Sequence, residues 1–344
     1  MIFKFCTVRF ATAASLALLL GGLTACGGGD TATTTEDTGS TSEPADTASG
    51  GSALEGDVLI DGSSTVFPIS EAMAEEFNNE NPGVNVTVNL SGSGGGFKKF
   101  CAGETDISNA SRPIKDEEVA ACEEAGIEFI EVPVAYDGLT IVVNPDNDWA
   151  QCLTVDQLNA MWSPEAETNG IDNWNKVDPS FPDQPLALYG PGADSGTFDY
   201  FTEEVNGEGG ASRGDYQASE DDNLIVNGVQ AELGGLGYFG YAYYEENSGS
   251  LKAVEIENKD GTCVAPSFDA ISDGSYNPMS RPLFFYVKLS SYDEKPQVKA
   301  FADYIIDPAN NALIADAGYI PLPSDAISAS QARLAEKKTG KDPQ

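Results

Sequence analysis

Residues 58–68 read Val58-Leu59-Ile60-Asp61-Gly62-Ser63-Ser64-Thr65-Val66-Phe67-Pro68. An apolar run, a polar turn rich in small hydroxyl residues, and a proline just inside the next apolar pattern predict a strand running into a helix. Ile69, Met73 and Phe77 then recur at helical spacing. The same junction occurs twice more, as Ser91-Gly92-Ser93-Gly94-Gly95-Gly96 before Phe97, Phe100 and Cys101, and as Gly190-Pro191-Gly192-Ala193-Asp194-Ser195-Gly196-Thr197 before Phe198, Phe201 and Val205. The first turn of a helix carries unpaired N–H groups and the positive end of its dipole, so each junction is a candidate anion cradle. One such junction means only a well-capped helix. Three, if they converge, offer about ten donors to one tetrahedral anion.

Outward from these junctions, Val84, Val86, Val88 and Leu90 alternate with polar residues, as in a half-buried strand. Phe129–Val134 and Leu139–Val143 predict two further strands, broken by Tyr136-Asp137-Gly138. Strands alternating with helices imply an α/β fold on a largely parallel sheet. From Leu54 onward about 290 residues remain, enough for two α/β lobes or one large domain.

Eighteen Lys and Arg stand against 55 Asp and Glu, a net charge of −37. That argues against nucleic acid and anionic lipid surfaces as partners. Lys4, Arg9 and the apolar stretch Ala11–Leu20 make a signal peptide over residues 1–25, too short to be a membrane span. It ends in Leu23-Thr24-Ala25-Cys26, which resembles a bacterial lipobox and marks Cys26 for lipidation. Residues 26–55 are almost wholly small and polar and are expected to be a disordered tether, with an end-to-end distance of roughly 25–30 Å. Cys101, Cys122, Cys152 and Cys263 remain, an even number that implies two disulfides in an oxidising compartment. Three pairings exist; nearness in sequence favours Cys101–Cys122, leaving Cys152–Cys263. With no histidine and no CxxC spacing, neither metal nor cofactor is expected.

From Gly56 to about Ser328 the chain resembles the phosphate-binding proteins of Pst-type ABC transporters. The resemblance is carried, in order, by IDGSSTVFPI, SGSGGGFKKF, TDISNASRPI, AYDGLTIVVN, GADSGTFDYF and LGYFGYAYY. It implies a two-lobed type II periplasmic-binding-protein fold with two crossover segments and an anion buried between the lobes. The expected division is 56–137 for the first part of lobe 1, 138–279 for lobe 2, and 280–344 for the return crossover, the rest of lobe 1 and a C-terminal tail. Carried over by motif, Ser64, Thr65 and the Val66 amide match the first phosphate loop, Ser93 and Gly94 the second, and Ser195, Gly196 and Thr197 the helix start in lobe 2. Two positions depart from the pattern. Arg112 stands where the family places an aspartate, and Pro191 where it places an arginine. The expectation is an exchange, with Arg112 supplying the guanidinium and Asp137, or else Asp194, the carboxylate that accepts the proton of phosphate.

The resemblance therefore implies a monomer, anchored outside the cytoplasmic membrane by lipid, that binds inorganic phosphate and delivers it to the membrane permease subunits of an ABC importer. The alternatives are a binder of another oxyanion such as sulfate, or a tethered sensor or adhesin. A serine hydrolase, suggested by Asp194-Ser195-Gly196, fails because no histidine is available as base. If Cys26 carries the lipid, mass spectrometry of membrane-extracted protein will find it acylated at the mature N-terminus, and Cys26→Ser will release the protein; a variant that stays on the membrane refutes the anchor.

Overall fold

The computed structural model describes residues 54–193 and 195–341. The signal peptide, Cys26, nearly all of the tether and Asp194 lie outside the described residues. Among the described residues thirteen strands run in chain order: β1 (Gly56–Gly62), β2 (Val84–Leu90), β3 (Ile107–Ala110), β4 (Phe129–Val143), β5 (Cys152–Leu153), β6 (Ala187–Gly190), β7 (Gln217–Ala218), β8 (Gly235–Gly240), β9 (Lys252–Ala253), β10 (Glu255–Glu257), β11 (Cys263–Val264), β12 (Ser280–Lys288) and β13 (Ile320–Pro321). The main sheet is ordered β2-β1-β3-β12-β4-β8-β6-β7, with β9 and β13 also paired to β4.

The sheet is parallel only on its flanks. β1 pairs in parallel with β2 and β3, and β6 with β7 and β8, whereas β12 with β3, and β4 with β12, β8, β9 and β13, are antiparallel. The expectation of a largely parallel sheet is thus corrected at its centre. The expected break at Tyr136-Asp137-Gly138 is also absent, because β4 is one strand of fifteen residues. Asp and Gly weaken a strand locally, but here Ser280, Arg281 and Pro282 of β12 stand opposite Gly138, Asp137 and Tyr136 and continue the ladder. β4 changes neighbours at this point, from β12 along Phe129–Gly138 to β8 along Leu139–Val143.

That change of partner divides the interior. The first stretch of β4 buries Ile130 and Val132 with Ile60, Met73, Phe77, Phe285 and Phe301. The last stretch buries Ile141 and Val143 with Trp162, Trp174, Phe201 and Tyr238. Helix Phe67–Glu80 presents Ile69, Met73 and Phe77 to the first core, as its periodicity predicts. Each fully buried side chain of this size contributes about 1.5–3 kcal/mol. Among the described residues no helix is long and apolar enough to cross a membrane.

Both disulfides form in the favoured pairing. Cys101–Cys122 ties helix Gly92–Cys101 to helix Asp116–Glu124, and Cys152–Cys263 ties β5 to β11 in a separate three-stranded sheet. Their sequence separations are 21 and 111 residues. Removing the first pair should cost about 3 kcal/mol and the second nearer 5, since the longer loop restricts the unfolded chain more. Denaturant unfolding of the two paired Cys→Ala variants checks this, and equal midpoints for variants and parent would refute it.

Candidate functional site

The three glycine-bearing junctions meet. At the first, β1 ends in Gly62, the Ser63 N–H donates to the Asn109 carbonyl at 3.0 Å, and the Phe67 N–H closes onto the Ser63 carbonyl at 3.1 Å. Thr65 is buried and Ser64 half-buried in this turn. Val66 turns its side chain into the core, so only its backbone remains to face a ligand.

At the second junction the glycine run lies inside the helix, which begins at Gly92 rather than after Gly96. A Cβ added at Gly96 would lie 2.5 Å from the Gly62 Cα and 2.9 Å from the Asp61 carbonyl oxygen, so only glycine lets this helix pack on β1. Asp61 holds the same helix by accepting from the Ser91 hydroxyl and pairing with Lys99. Ser93 Oγ accepts from the Ser111 N–H at 3.2 Å. At the third, Ser195 caps helix Gly196–Asn206 by accepting from the Thr197 N–H at 3.2 Å. A Cβ at Gly196 would lie 2.9 Å from Thr65 Oγ1, which places the start of this helix directly on the first loop.

Sequence reasoning missed the cation at this meeting point, Arg281 of β12. Its Nη2 donates to Thr65 Oγ1 at 3.0 Å, and its Nε and Nη2 both donate to Asp137 Oδ2 at 3.2 Å. Its guanidinium carbon lies 3.5 Å from the centroid of the Tyr200 ring. The Arg281 and Asp137 side chains are 12% and 6% exposed. Burial pushes the Asp137 carboxyl above the ordinary carboxylate range, and Arg281 beside it pulls back only part of the way. A signal did exist in the sequence. If 138 and 280 flank two crossover segments, the Asp and Arg next to those positions can pair across them.

Arg112, by contrast, gives its Nη1 and Nη2 to Glu118 Oε2 and Oε1, each at 2.8 Å, with its guanidinium carbon 5.5 Å from the Phe97 centroid. It stands in the wall of a cavity of about 350 Å³ that Ser64, Thr65, Ser93, Gly94 and Arg281 also line. Asp137 and Thr197 line a second cavity of about 370 Å³, together with Asp222, Glu246, Asp316 and Tyr319. Burial, reinforced by Asp221 and Glu220, pushes Asp222 up to about 6. Of the expected site residues, then, Thr65, Gly196 and Asp137 are drawn together around Arg281. Ser64, Ser93, Gly94 and Arg112 share its cavity. Cys152 and Cys263 lie near Glu255, but their sulfurs are joined to each other and not free to ligate a metal.

Comparison with known proteins places this geometry in a family. A model of the PBP superfamily domain matches residues 32–309. The chain is 49% identical over 283 residues to protein SphX of Synechococcus elongatus, covering 82% of each chain. It is 39% identical over 333 residues to the phosphate-binding protein PstS of Staphylococcus saprophyticus, covering 96% of this chain and 94% of that one. Among solved structures, a possible phosphate binding protein from Planctomyces limnophilus matches with a TM-score of 0.79 at 45% identity, over 83% of this chain and 99% of that one. An ABC-type phosphate transport receptor from Vibrio cholerae matches with a TM-score of 0.60 at 26% identity, over 77% and 100%. The mixed α/β architecture with its curled sheet is the type II periplasmic-binding-protein fold, and the chain belongs to the PBP superfamily and, within it, to the Pst-type phosphate-binding proteins.

Proposed function

We propose that this chain binds inorganic phosphate outside the cytoplasmic membrane and delivers it to the permease subunits of an ABC importer, as a lipid-anchored monomer that performs no catalysis. Its family is one of substrate-binding transport proteins rather than an enzyme class, and one structural relative is an ABC-type phosphate transport receptor. The observation that carries the reading is the meeting of the Thr65 loop, the start of helix Gly196–Asn206 and the Arg281–Asp137 pair at one point.

The chemistry follows from those groups. Hydroxyls of Ser64, Thr65, Ser93, Ser195 and Thr197, with backbone N–H groups at Val66, Gly94 and Gly196, are the donors that wrap the anion. Arg281 supplies the positive charge, in the part that the sequence had assigned to Arg112. Arg112, already held by Glu118, serves the outer wall of the cavity. Asp137 supplies the acceptor, and we favour it over Asp194 because it is fixed against Arg281. Near neutral pH phosphate keeps at least one proton and can donate it to a carboxylate. Sulfate has none to give and meets Asp137 as one negative charge facing another.

Calorimetric titration with phosphate and with sulfate tests the reading directly, and a protein that binds neither overturns it. Removing one hydroxyl, as in Thr65→Val, should weaken phosphate binding about tenfold to a hundredfold. Arg281→Ala should weaken it by a hundredfold or more, about 3 kcal/mol, because it strips the charge partner from a buried carboxylate. Arg112→Ala should cost less, and the opposite order would return the cationic role to Arg112. Asp137→Asn should shrink the preference for phosphate over sulfate, since an amide can donate to either anion. Unchanged discrimination in that variant would show that another carboxylate accepts the proton.

A further inference from the structure

The guanidinium of Arg281 is fixed on three sides. Asp137 of β4 and Thr65 of the first loop hold its nitrogens, and the third side is a ring face, that of Tyr200. Tyr200 lies in helix Gly196–Asn206, four residues after Gly196 and three after Thr197. Residues three and four apart share one face of a helix. The face that seats on Thr65 through Gly196 is therefore the face that covers Arg281 through Tyr200. Tyr200 is 1% exposed, and its hydroxyl donates to the Pro278 carbonyl at 2.6 Å, just ahead of β12. The ring is thus clamped at its hydroxyl end by the segment that leads into the strand bearing Arg281.

A guanidinium is planar and weakly hydrated, so it stacks on an aromatic ring without giving up its edge donors. The donors of a guanidinium lie in its plane, so Arg281 meets an anion through its edge, and the Tyr200 ring covers one of its two faces. The attraction between ring and cation is strongest where water is excluded, as it is at this buried contact. Any movement that lifts helix Gly196–Asn206 off Thr65 uncovers and rehydrates Arg281. We propose that Tyr200 is a positioning residue for the anion site: its ring fixes the plane of Arg281 and links the charge of β12 to the seating of the helix whose first turn faces the anion. This inference rests on the phosphate reading and on nothing carried over from the sequence motifs, none of which singles out Tyr200.

A double-mutant cycle tests it. Phosphate affinity is measured for the parent, Tyr200→Phe, Tyr200→Leu and Tyr200→Met, each with Arg281 and with Arg281→Lys, which keeps the charge but not the plane. Titrations carried to millimolar phosphate keep a loss of about a thousandfold within range. Tyr200→Phe should bind within about threefold of the parent, because the ring remains. Tyr200→Leu and Tyr200→Met should each lose about tenfold with Arg281 and much less with Arg281→Lys, the signature of coupling. Equal losses in both backgrounds, Leu and Met variants that bind like the parent, or Tyr200→Phe as weak as Tyr200→Leu would each overturn the positioning role. Disagreement between the Leu and Met variants would show a local packing effect and would overturn it as well. If the parent binds no phosphate, the functional reading falls and takes this inference with it; if the parent binds and the coupling is absent, only this inference falls.

Discussion

The site hangs on one ion pair, between Arg281 on β12 and Asp137 on β4. Those two strands are antiparallel neighbours with Arg281 and Asp137 in register, and β4 passes from one hydrophobic core to the other at this point. A buried ion pair is a poor way to gain stability, since two apolar side chains of similar volume often do as well or better. A pair kept where β4 changes partner strands is better understood as holding a charge in place for use. Thr65 from one side and Tyr200 from the other then fix its geometry without adding a second cation.

The acidity of the chain becomes intelligible in the same terms. With 55 acidic and 18 basic residues, the far field repels anions and works against steering them in. At short range that field matters less than local dipoles in a site from which water is excluded. Arg281 is balanced by Asp137 and Arg112 by Glu118, and Lys115 shares the same cavity wall with Asp199 and Glu203, so the cavity gathers no net positive charge. In the proposed site, selection then falls to hydroxyls, helix N-termini and one proton acceptor. These reward the shape and protonation of an anion more than its charge. Beyond Asp137 and Thr197, the carboxylates of Asp222, Glu246 and Asp316 line the rest of the neighbouring cavity and repel an anion that would pass further into it.

The sequence made legible what depends on local chemistry. Ile69, Met73 and Phe77 fall on the core face of their helix because a 3.6-residue period leaves no other choice. Ser195 caps its helix because a hydroxyl before Gly196 reaches the Thr197 N–H. What it concealed depends on pairing between distant residues. Arg281 and Asp137 are 144 positions apart, and the proline after Arg281 reads as the edge of a strand rather than its middle. Tyr136-Asp137-Gly138 carries the composition of a turn, yet it stays extended because β12 lies alongside and completes its ladder. Arg112 attracted attention as a departure from a motif, and only its bidentate partner Glu118, six residues later in the next helix, shows how its donors are used.

Glycine connects these two levels. Gly96 brings the second junction against Gly62, and Gly196 brings the third against Thr65, each at a distance that any side chain would block. Both look in the sequence like flexibility at the start of a helix. In the folded chain they are points of fixed contact, and each removes a layer of side chain that would otherwise hold the N–H groups of its helix away from the others. Three helix starts can act on a single small anion only if the backbone of each comes within hydrogen-bonding reach of the same point, about 3 Å. That requirement explains Gly96 and Gly196, whereas Gly62 and Gly92 are kept by their backbone conformation, with φ of +149° and +75°. It also explains why the hydroxyl-bearing loops could be found by motif, while the contact that makes them one site could be found only in three dimensions.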